Sequence, residues 1–577
     1  MRRGAETKQQ TANRFARRST MVVVLFAGIA CSLLARAVHL QVLDKEFLNR
    51  QADTRHLRDE TIVAHRGTIT DRNGEPLAIS TPVDSIWADP KEIAPAIDRV
   101  PELARLLGID ADALARRITR NMNKRFMYVK RGLPPEVAAD VLAQDIPGVN
   151  VQREYRRYYP AAEVTGHLLG FTDINDSGQE GLELAFDYWL AGEAGAKRVL
   201  KDRLGRSVEN VASIQPPHHG KDLRLSIDLR VQYLAYRTLK AAVQAHSAES
   251  GTIVVLDVRT GEVLAMVNQP TYNPNDGAQR MAERYRNRAI TDIFEPGSSI
   301  KPLVVSAALE SGRFRPSSVI DTAPGYVDVG AKRIEDTRNL GRVSLTTILA
   351  RSSNVGVTKL AMELEAEQLW QTMSHFGLGE LTSSGFPGES TGSLSHYSYW
   401  RPISQATLAY GYGVSVTALQ LAHAYAALAG DGTVPDVSLL ARESAPTPTQ
   451  VIAPDTARAV RRMLEEVVRP GGTGTKASIT GYRIAGKTGT AWKSGPGGYS
   501  EDKYISIFAG LAPASEPRLA AVVMIDEPSG ELFYGSDVAA PVFADVMAEA
   551  LRLLAIPPDA LPARDAGSVI QAMAGQQ

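Results

Sequence analysis

The stretch Glu295-Pro296-Gly297-Ser298-Ser299-Ile300-Lys301-Pro302 places a hydroxyl and an amine one helical turn apart. A serine becomes a strong nucleophile only when a neighbouring base takes its proton. Residues three apart on a helix are surface neighbours, so Lys301 is the candidate base for Ser298. Because Pro302 has no N–H to donate, Ser298 is expected at or just before the helix start. An isolated S-x-x-K pattern is common, so its meaning depends on the rest of the chain.

Two later motifs complete the pattern. Ser352-Ser353-Asn354 is a polar triplet next to a predicted helix, and Lys487-Thr488-Gly489-Thr490 lies on a predicted strand. Each motif alone is an ordinary cap or strand end. The three motifs in this order are typical of class A β-lactamases and penicillin-binding proteins. We therefore interpret Ser298 as a nucleophile that attacks a peptide carbonyl.

Five residues carry the predicted proton transfers. Ser298 attacks and Lys301 accepts its proton, which requires a neutral amine. Burial and a second nearby cation, Lys487, are expected to lower the pKa of Lys301. Ser352 would relay a proton to the leaving amine, while Asn354 would hydrogen-bond Lys301 and the substrate amide. The sequence leaves open which residue is the acylation base.

The third motif also predicts how the substrate is held. Lys487 and the hydroxyls of Thr488 and Thr490 would bind a substrate carboxylate. Gly489 lacks a side chain and would let an extended peptide lie along the strand edge. The backbone amides of Ser298 and Thr490 are the candidate oxyanion hole.

The N-terminus is first basic and then apolar. Residues 1–19 form a basic arm with one acid, Glu6, and residues 20–41 are a candidate transmembrane anchor. The apolar run 21–35 is short of the ~20 residues that span a bilayer, but it resumes after Arg36, which can snorkel. The preceding basic residues predict a cytoplasmic N-terminus. A cleaved signal peptide is the alternative, because Ala35-Arg36-Ala37 resembles a cleavage site.

Several classes of chemistry are disfavoured. Cys31, in the apolar run, is the only cysteine, so no intramolecular disulfide can form. Lys+Arg 64 balance Asp+Glu 64, which gives no argument for nucleic-acid binding. There is no G-x-S-x-G elbow, and none of the ten histidines falls in a triad pattern. No metal-site or P-loop motif is present, and we expect neither a metal nor a cofactor.

The length of 577 residues predicts two or three folded units. Residues 42–220 mix short helices and strands, with a helix expected over about 42–60 and a hairpin at Asn73-Gly74. A Pro- and Gly-containing linker at 216–220 separates them from a second domain, 221–560. Residues 561–577 are expected to be a flexible C-terminal tail.

The order of predicted strands and helices in the second domain indicates an α+β fold. Two strands flank Arg259-Thr260-Gly261, a mostly helical stretch runs from 298 to about 468, and three strands and a helix close the domain. The closing elements are expected at 481–490, 504–511, 519–526 and 540–554. This order suggests one antiparallel five-stranded sheet sandwiched by helices.

With these motifs the chain resembles a class B penicillin-binding protein, most similar to the division-specific penicillin-binding protein 3 type. Further motifs carry the resemblance: Arg66-Gly67-Thr68-Ile69-Thr70-Asp71-Arg72-Asn73-Gly74, Arg156-Arg157-Tyr158-Tyr159-Pro160, Gly181-Leu182-Glu183, Tyr410-Gly411-Tyr412-Gly413 and Thr417-Ala418-Leu419-Gln420. The resemblance implies a serine β-lactamase-like transpeptidase domain on a non-catalytic pedestal of the dimerisation type. It also implies a single-pass inner-membrane enzyme with a periplasmic catalytic domain.

The resemblance further implies a peptidoglycan D,D-transpeptidase that cross-links D-Ala-D-Ala stem peptides and is acylated by β-lactams. Its implied partners are a membrane glycosyltransferase and other division proteins. A D,D-carboxypeptidase or a β-lactamase would use the same motifs and release the acyl group to water. A division scaffold or a β-lactam sensor is the alternative of another class. A sensor would need a cytoplasmic output domain, which about twenty residues cannot form.

Overall fold

The computed structural model of the protein describes residues 3–43, 57–201, 207–495 and 498–560. The chain divides into two compact units. The first comprises Met1–Ala64, Val83–Glu154 and Glu193–His218; the second comprises His65–Pro82, Tyr155–Gly192 and His219–Gln577. Residues 65–82 and 155–192, which the sequence groups with the pedestal, thus cluster with the catalytic part of the chain.

The first unit begins with the helix Arg3–Val38, which ends in a π-helical turn, His39–Leu43. Its segment Arg14–Val42, 29 residues long, is long and apolar enough to cross a membrane, in agreement with the predicted anchor. Of the helix expected over 42–60, residues 44–56 lie outside the described residues. The prediction is wrong for residues 57–60, which lie in the strand Leu57–Ile62. That strand pairs antiparallel with Gly195–Lys201, a distant partner that local charge pattern cannot reveal.

The rest of the first unit has a small core of its own. Leu103 and Leu107 are one turn apart on one helix, Leu114 and Ile118 on the next, and all four are buried. The helices are Pro90–Ile93, Val100–Leu107, Ala111–Arg120 and Pro135–Leu142, with a 3-10 helix Ala94–Arg99. The strands are Leu57–Ile62, Met127–Leu133, Gly195–Lys201 and Ser207–Gln215, with the end of Pro76–Ala88 and the start of Val149–Tyr158.

The second unit contains the predicted five-stranded sheet. Its strands in chain order are β1 (Ser250–Asp257), β2 (Val263–Gln269), β3 (Ala485–Gly495), β4 (Gly498–Ala512) and β5 (Leu519–Asp526). They lie in the order β2-β1-β5-β4-β3, and every neighbouring pair is antiparallel. The α+β prediction is confirmed, and β3, which carries the third motif, is an edge strand. It begins at Ala485, four residues later than expected.

Both faces of this sheet are buried. Along β5, Leu519, Ala521, Val523 and Ile525 join one core cluster, while the alternate residues join another. Helices α1 (Leu229–Ala245) and α5 (Ala539–Leu553) pack on the first face. Helix Ala418–Ala429 packs on the second face. The sheet is therefore sandwiched by helices, as predicted.

The insertion between β2 and β3 is mostly helical and carries the first two motifs. Its main helices include α2 (Lys301–Glu310), α3 (Asn354–Met362) and α4 (Pro454–Val468). Other helices of this unit are Gly166–Leu169, Gly181–Ala185, Asp187–Leu190, Ala282–Tyr285, Arg288–Thr291, Leu345–Ala350, Ala366–His375, Pro402–Leu408 and Ala418–Ala429. Two small antiparallel strand pairs were not predicted: Val319–Asp321 with Arg342–Ser344, and the hairpin Tyr326–Val329 with Lys332–Glu335. Further short strands are Ile69–Thr70, Leu223–Arg224, Ser393–Leu394, Val414–Ser415, Thr433–Val434 and Thr449–Gln450.

The three pedestal motifs meet at one buried carboxylate. Glu183 accepts hydrogen bonds from the Nε of Arg66 and the Nε of Arg157, both at 2.6 Å. All three side chains are almost fully buried. Buried charges are tolerated when they are paired and hydrogen-bonded, so this network ties the motifs together. The hairpin predicted at Asn73-Gly74 joins Ile69–Thr70 to Pro76–Ala88.

Candidate active site

Ser298 lies on a 3-10 turn, Gly297–Ile300, that leads directly into α2. The Lys301 N–H donates to the Ser298 carbonyl, and Pro302 follows in the first helical turn. This confirms that Ser298 precedes the helix. Ser298 is half-buried and lines a cavity of about 500 Å³, whereas Ser299 and Ile300 are buried. Among the described residues the Ser298 hydroxyl has no hydrogen-bond partner, so it is available to a substrate.

Hydrogen bonds within the turn and from neighbouring residues fix its conformation. Tyr425 donates its hydroxyl to the Ser299 carbonyl at 2.7 Å, and the Ser299 hydroxyl donates to the Pro296 carbonyl at 2.7 Å. The Gly297 N–H donates to the Gly411 carbonyl at 3.2 Å. A Cβ at Gly411 would lie 2.1 Å from the Gly297 carbonyl oxygen, so only glycine fits there. The signature Tyr410-Gly411-Tyr412-Gly413 therefore supports the nucleophile turn.

Lys301 is fully buried, and its amine points to the second motif. Its Nζ lies 2.6 Å from the Ser352 carbonyl oxygen, 2.7 Å from Asn354 Oδ1 and 3.2 Å from Ser352 Oγ. Burial, followed by repulsion from Lys487, lowers the pKa of Lys301 well below its ordinary value, while Asp336 opposes the shift. A neutral amine has two N–H groups for the two carbonyl-type acceptors. Its lone pair remains free to accept a proton.

Lys487 is the second buried amine of the site. Its Nζ lies 3.0 Å from Ser352 Oγ and 3.0 Å from the Thr488 carbonyl oxygen. Burial lowers the pKa of Lys487 to about 7. The Ser352 hydroxyl thus lies between two lysine amines, a position from which it can pass a proton from one group to another.

One residue that the sequence analysis missed, Asp336, fixes the second motif. Its Oδ1 accepts from the amides of Asn354 and Val355 at 2.5 and 3.0 Å, and its Oδ2 accepts from the Ser353 hydroxyl at 2.5 Å. A carboxylate at a helix N-terminus satisfies amides that have no partner within the helix. Ser352 itself has a left-handed backbone, φ +57°, which a non-glycine residue adopts only when its surroundings impose it. Asp336 follows an unpredicted hairpin, and no sequence motif marked it.

The third motif forms one wall of the cavity. Thr488 and Thr490 both line it, and Thr490 Oγ1 accepts from the Gly535 N–H at 2.9 Å. A Cβ at Gly489 would lie 2.9 Å from the Pro296 carbonyl oxygen. Glycine is therefore required for β3 to approach the nucleophile turn, a reason beyond the peptide access that the sequence suggested.

The cavity joins the three motifs. Its lining comprises Ser298, Ser352, Asn354, Thr488 and Thr490 together with Asp336, Thr337, Arg338, Leu340, Arg351, Thr473, Tyr534 and Ser536. Lys301 and Lys487 are buried behind this lining and reach it through Ser352. The sequence analysis did not identify Arg338, Arg351, Thr473 or Ser536. Arg351 directly precedes the second motif, whereas the other three come from loops with no motif of their own.

Comparison with known proteins agrees with this geometry. Residues 251–548 match the penicillin binding protein transpeptidase domain, and residues 61–225 match the penicillin-binding protein dimerisation domain. The chain belongs to the penicillin-binding protein family. The chain is accordingly a serine peptidoglycan D,D-transpeptidase, and the predicted resemblance to class B penicillin-binding proteins of the penicillin-binding protein 3 type is confirmed.

The similarity extends over nearly the whole chain. The peptidoglycan D,D-transpeptidase FtsI of Escherichia coli strain K12 is 46% identical over 541 residues, which cover 92% of this chain and 91% of FtsI. The probable peptidoglycan D,D-transpeptidase PbpC of Pseudomonas aeruginosa is 43% identical over 544 residues, or 94% of this chain and 96% of PbpC. Together with the apolar N-terminal helix, this similarity indicates a single-pass inner-membrane protein with a periplasmic catalytic domain.

Solved structures share the same architecture. The apo transpeptidase domain of Burkholderia pseudomallei penicillin-binding protein 3 is 42% identical with a TM-score of 0.54, covering 59% of this chain and 98% of that domain. Penicillin-binding protein 3 of Mycobacterium tuberculosis, complexed with aztreonam, is 28% identical with a TM-score of 0.68. It covers 87% of this chain and 98% of its own.

Proposed function

We propose that this penicillin-binding protein cross-links stem peptides of the septal cell wall through an acyl-enzyme on Ser298. The observation that carries the proposal is the pairing of an accessible hydroxyl with a buried amine of lowered pKa, Lys301, one turn away. A neutral lysine is the base that a serine nucleophile needs in the absence of a histidine. Among the described residues no hydrogen bond joins the two groups, and one is expected to form when substrate binds.

Acylation proceeds in one sequence of proton transfers. As Ser298 Oγ bonds to the carbonyl carbon of the D-Ala-D-Ala bond, its proton moves to Lys301. The backbone amides of Ser298 and Thr490 hold the developing oxyanion. Ser352 donates a proton to the leaving amine and is reprotonated from Lys301. The C–N bond breaks, D-alanine leaves, and an ester on Ser298 remains.

The wall opposite Ser298 holds the terminal carboxylate of the donor peptide. Thr488 and Thr490 present hydroxyls to the cavity, and Lys487 lies directly behind Thr488. Charge-assisted hydrogen bonds from such groups are stronger than neutral ones. Gly489 keeps the strand edge open, and Asn354 holds the Lys301 amine while it contacts the substrate amide.

The second half-reaction uses the same groups in reverse. The amine of a neighbouring stem peptide attacks the ester carbon and loses a proton through Ser352 to Lys301. The proton returns to Ser298 Oγ as the C–O bond breaks, and a new amide joins the two stems. Penicillins and related β-lactams acylate Ser298 in the same way, but their acyl group stays on the enzyme.

The remainder of the chain places this chemistry at the membrane. In the proposed division, residues 1–19 are a cytoplasmic arm, 20–41 the anchor, 42–220 the pedestal, 221–560 the transpeptidase domain and 561–577 a tail. A transpeptidase needs newly made glycan strands beside it. We therefore propose a membrane glycosyltransferase and other division proteins as partners.

Product analysis tests the proposed reaction. Full-length protein in detergent is given an N-acyl-D-alanyl thioester as acyl donor and a D-amino acid as acceptor. We expect an amide product from the wild type and from the surface control Ser317→Ala, and none from Ser298→Ala. Hydrolysis without any amide product would instead support a carboxypeptidase or a β-lactamase. Normal division of cells that depend on Ser298→Ala would support a scaffold.

A further inference from the structure

Two arginines face the cavity without a protein counter-ion. Arg338 and Arg351 both line the cavity that contains Ser298, and both are exposed. Among the described residues, neither guanidinium has an ion pair or a hydrogen bond. By contrast, Arg333 of the same segment is paired with Asp328. Two unpaired guanidinium groups are therefore available to an anionic ligand in the cleft.

The charge of the cavity wall favours an anion. Asp336 is the one acidic residue of the lining, and both of its oxygens already accept hydrogen bonds from the second motif. Arginine remains charged at every pH at which the enzyme works. The cleft therefore carries positive charge beyond what the donor carboxylate at Thr488 and Thr490 requires.

Arg351 lies next to the group that handles the incoming amine. It precedes Ser352 in the chain, and its Nη2 would lie 3.2 Å from a Cβ at Gly471, which places the guanidinium against that loop. Thr473 of the same loop donates its N–H to the Ala350 carbonyl at 3.1 Å. Thr473 Oγ1 also accepts from Thr488 Oγ1 at 3.1 Å. The loop that contains Gly471 and Thr473 thus connects Arg351 to Thr488 of the third motif.

Microscopic reversibility determines where the acceptor amine must bind. The acceptor amine must take the place that the leaving amine vacated, beside Ser352. An acceptor peptide that extends away from Ser298 through the rest of the cavity would pass Arg351 and Arg338, which line it. The donor peptide, in contrast, is held by β3 and by the ester itself.

We propose that Arg338 and Arg351 bind a carboxylate of the acceptor stem peptide, one other than the carboxylate beside its nucleophilic amine. They are specificity-determining residues for the second half-reaction. The inference rests on the proposed function, because an acceptor exists only if the acyl group is transferred. It predicts that the enzyme discriminates between acceptors by a charge remote from the reacting amine.

The test compares two acceptor peptides that differ only in this remote carboxylate, which is free in one and amidated in the other. Full-length protein in detergent receives a thioester donor, and the acceptor concentration that gives half-maximal amide product is measured. For wild type we expect a value about tenfold lower with the free carboxylate, as one charge-assisted interaction provides. The double variant Arg338→Gln/Arg351→Gln should lose this preference. Arg333→Gln, which removes a charge outside the cavity, should keep it.

Three results would overturn the inference. The first is a double variant that keeps the tenfold preference while its melting temperature matches wild type. The second is a wild type that uses both acceptors equally. The third is a double variant whose acylation by benzylpenicillin falls by the same factor as acceptor transfer, since the arginines would then serve the donor. Absence of any acyl-enzyme in wild type would instead refute the proposed function itself.

Discussion

Lys301 and Lys487 share one hydroxyl: that of Ser352, which lies 3.2 Å from the first amine and 3.0 Å from the second. Two buried ammonium groups at this separation would repel each other strongly. Burial lowers both pKa values, that of Lys487 to about 7, and repulsion from Lys487 lowers the pKa of Lys301 further. The lowered pKa values favour a neutral amine in the site, which is the condition that serine activation requires.

Replacement of Lys301 tests its role as base. In Lys301→Met we expect the rate of benzylpenicillin acylation to fall by roughly a hundredfold to ten-thousandfold, the range for a lost general base. The measurement is the rate of adduct formation by mass spectrometry. Lys332→Met, on an exposed hairpin, is the matched control. A loss below fivefold in a folded Lys301→Met protein would assign the base to another group.

The lowered pKa of Lys487 predicts that the stability of the protein depends on pH. Its pKa is about 7 in the folded protein and 10.5 when unperturbed, so the unfolded chain binds the extra proton between these values. Its burial therefore costs stability that is regained as pH rises, by about 1.4 kcal/mol per pH unit over that window. The free energy of unfolding of Lys487→Met minus that of wild type should therefore decline from pH 7 to pH 9.5, because wild type gains stability over this range. A difference that is constant with pH would contradict this account.

Asp336 is predicted to position the second motif and to raise the pKa of Lys301. Asp336→Asn removes a charge that raises the pKa of Lys301, so the acidic limb of the acylation rate should move to lower pH. The loosened second motif should also slow acylation by about tenfold, in line with the loss of a charged hydrogen-bond acceptor. The measurement is the pH profile of benzylpenicillin acylation. The control Asp328→Asn, on the hairpin that precedes Asp336 and outside the cavity, should leave the acidic limb of the pH profile unchanged. An unchanged acidic limb in Asp336→Asn would refute the electrostatic role.

Gly489 tests the contact between β3 and the nucleophile turn. In Gly489→Ala the new Cβ would lie 2.9 Å from the Pro296 carbonyl oxygen, so strand or turn must shift. We expect a loss of about 1–3 kcal/mol in the free energy of unfolding and slower acylation. Gly495→Ala is the control on the same strand, because among the described residues its Cβ would approach just the Gly498 carbonyl oxygen, at 3.9 Å. Equal behaviour of the two variants would show that the contact is not required.

The sequence predicts the parts of this protein that depend on local pattern. The hairpin at Arg259-Thr260-Gly261, the strand β5 and the position of Ser298 before α2 all follow from periodicity, turn residues and Pro302. Three motifs 54 and 135 residues apart also predict one another, because the chemistry needs all of them. Asp336 could not be found in this way, since tertiary packing alone brings its loop to the cleft. Arg351 lies next to the second motif, but no local pattern shows that its side chain lines the cavity. The strand Leu57–Ile62 was missed for the same reason: its pairing partner lies more than a hundred residues away.

The central claim is that Ser298 becomes covalently acylated and holds its acyl group until an amine arrives. Full-length protein is incubated with benzylpenicillin, its intact mass is followed over time, and the adduct is mapped to a peptide. We predict one stable penicilloyl group on the peptide that contains Ser298, and none in Ser298→Ala. An adduct on another residue, or an adduct that hydrolyses rapidly, would contradict the account.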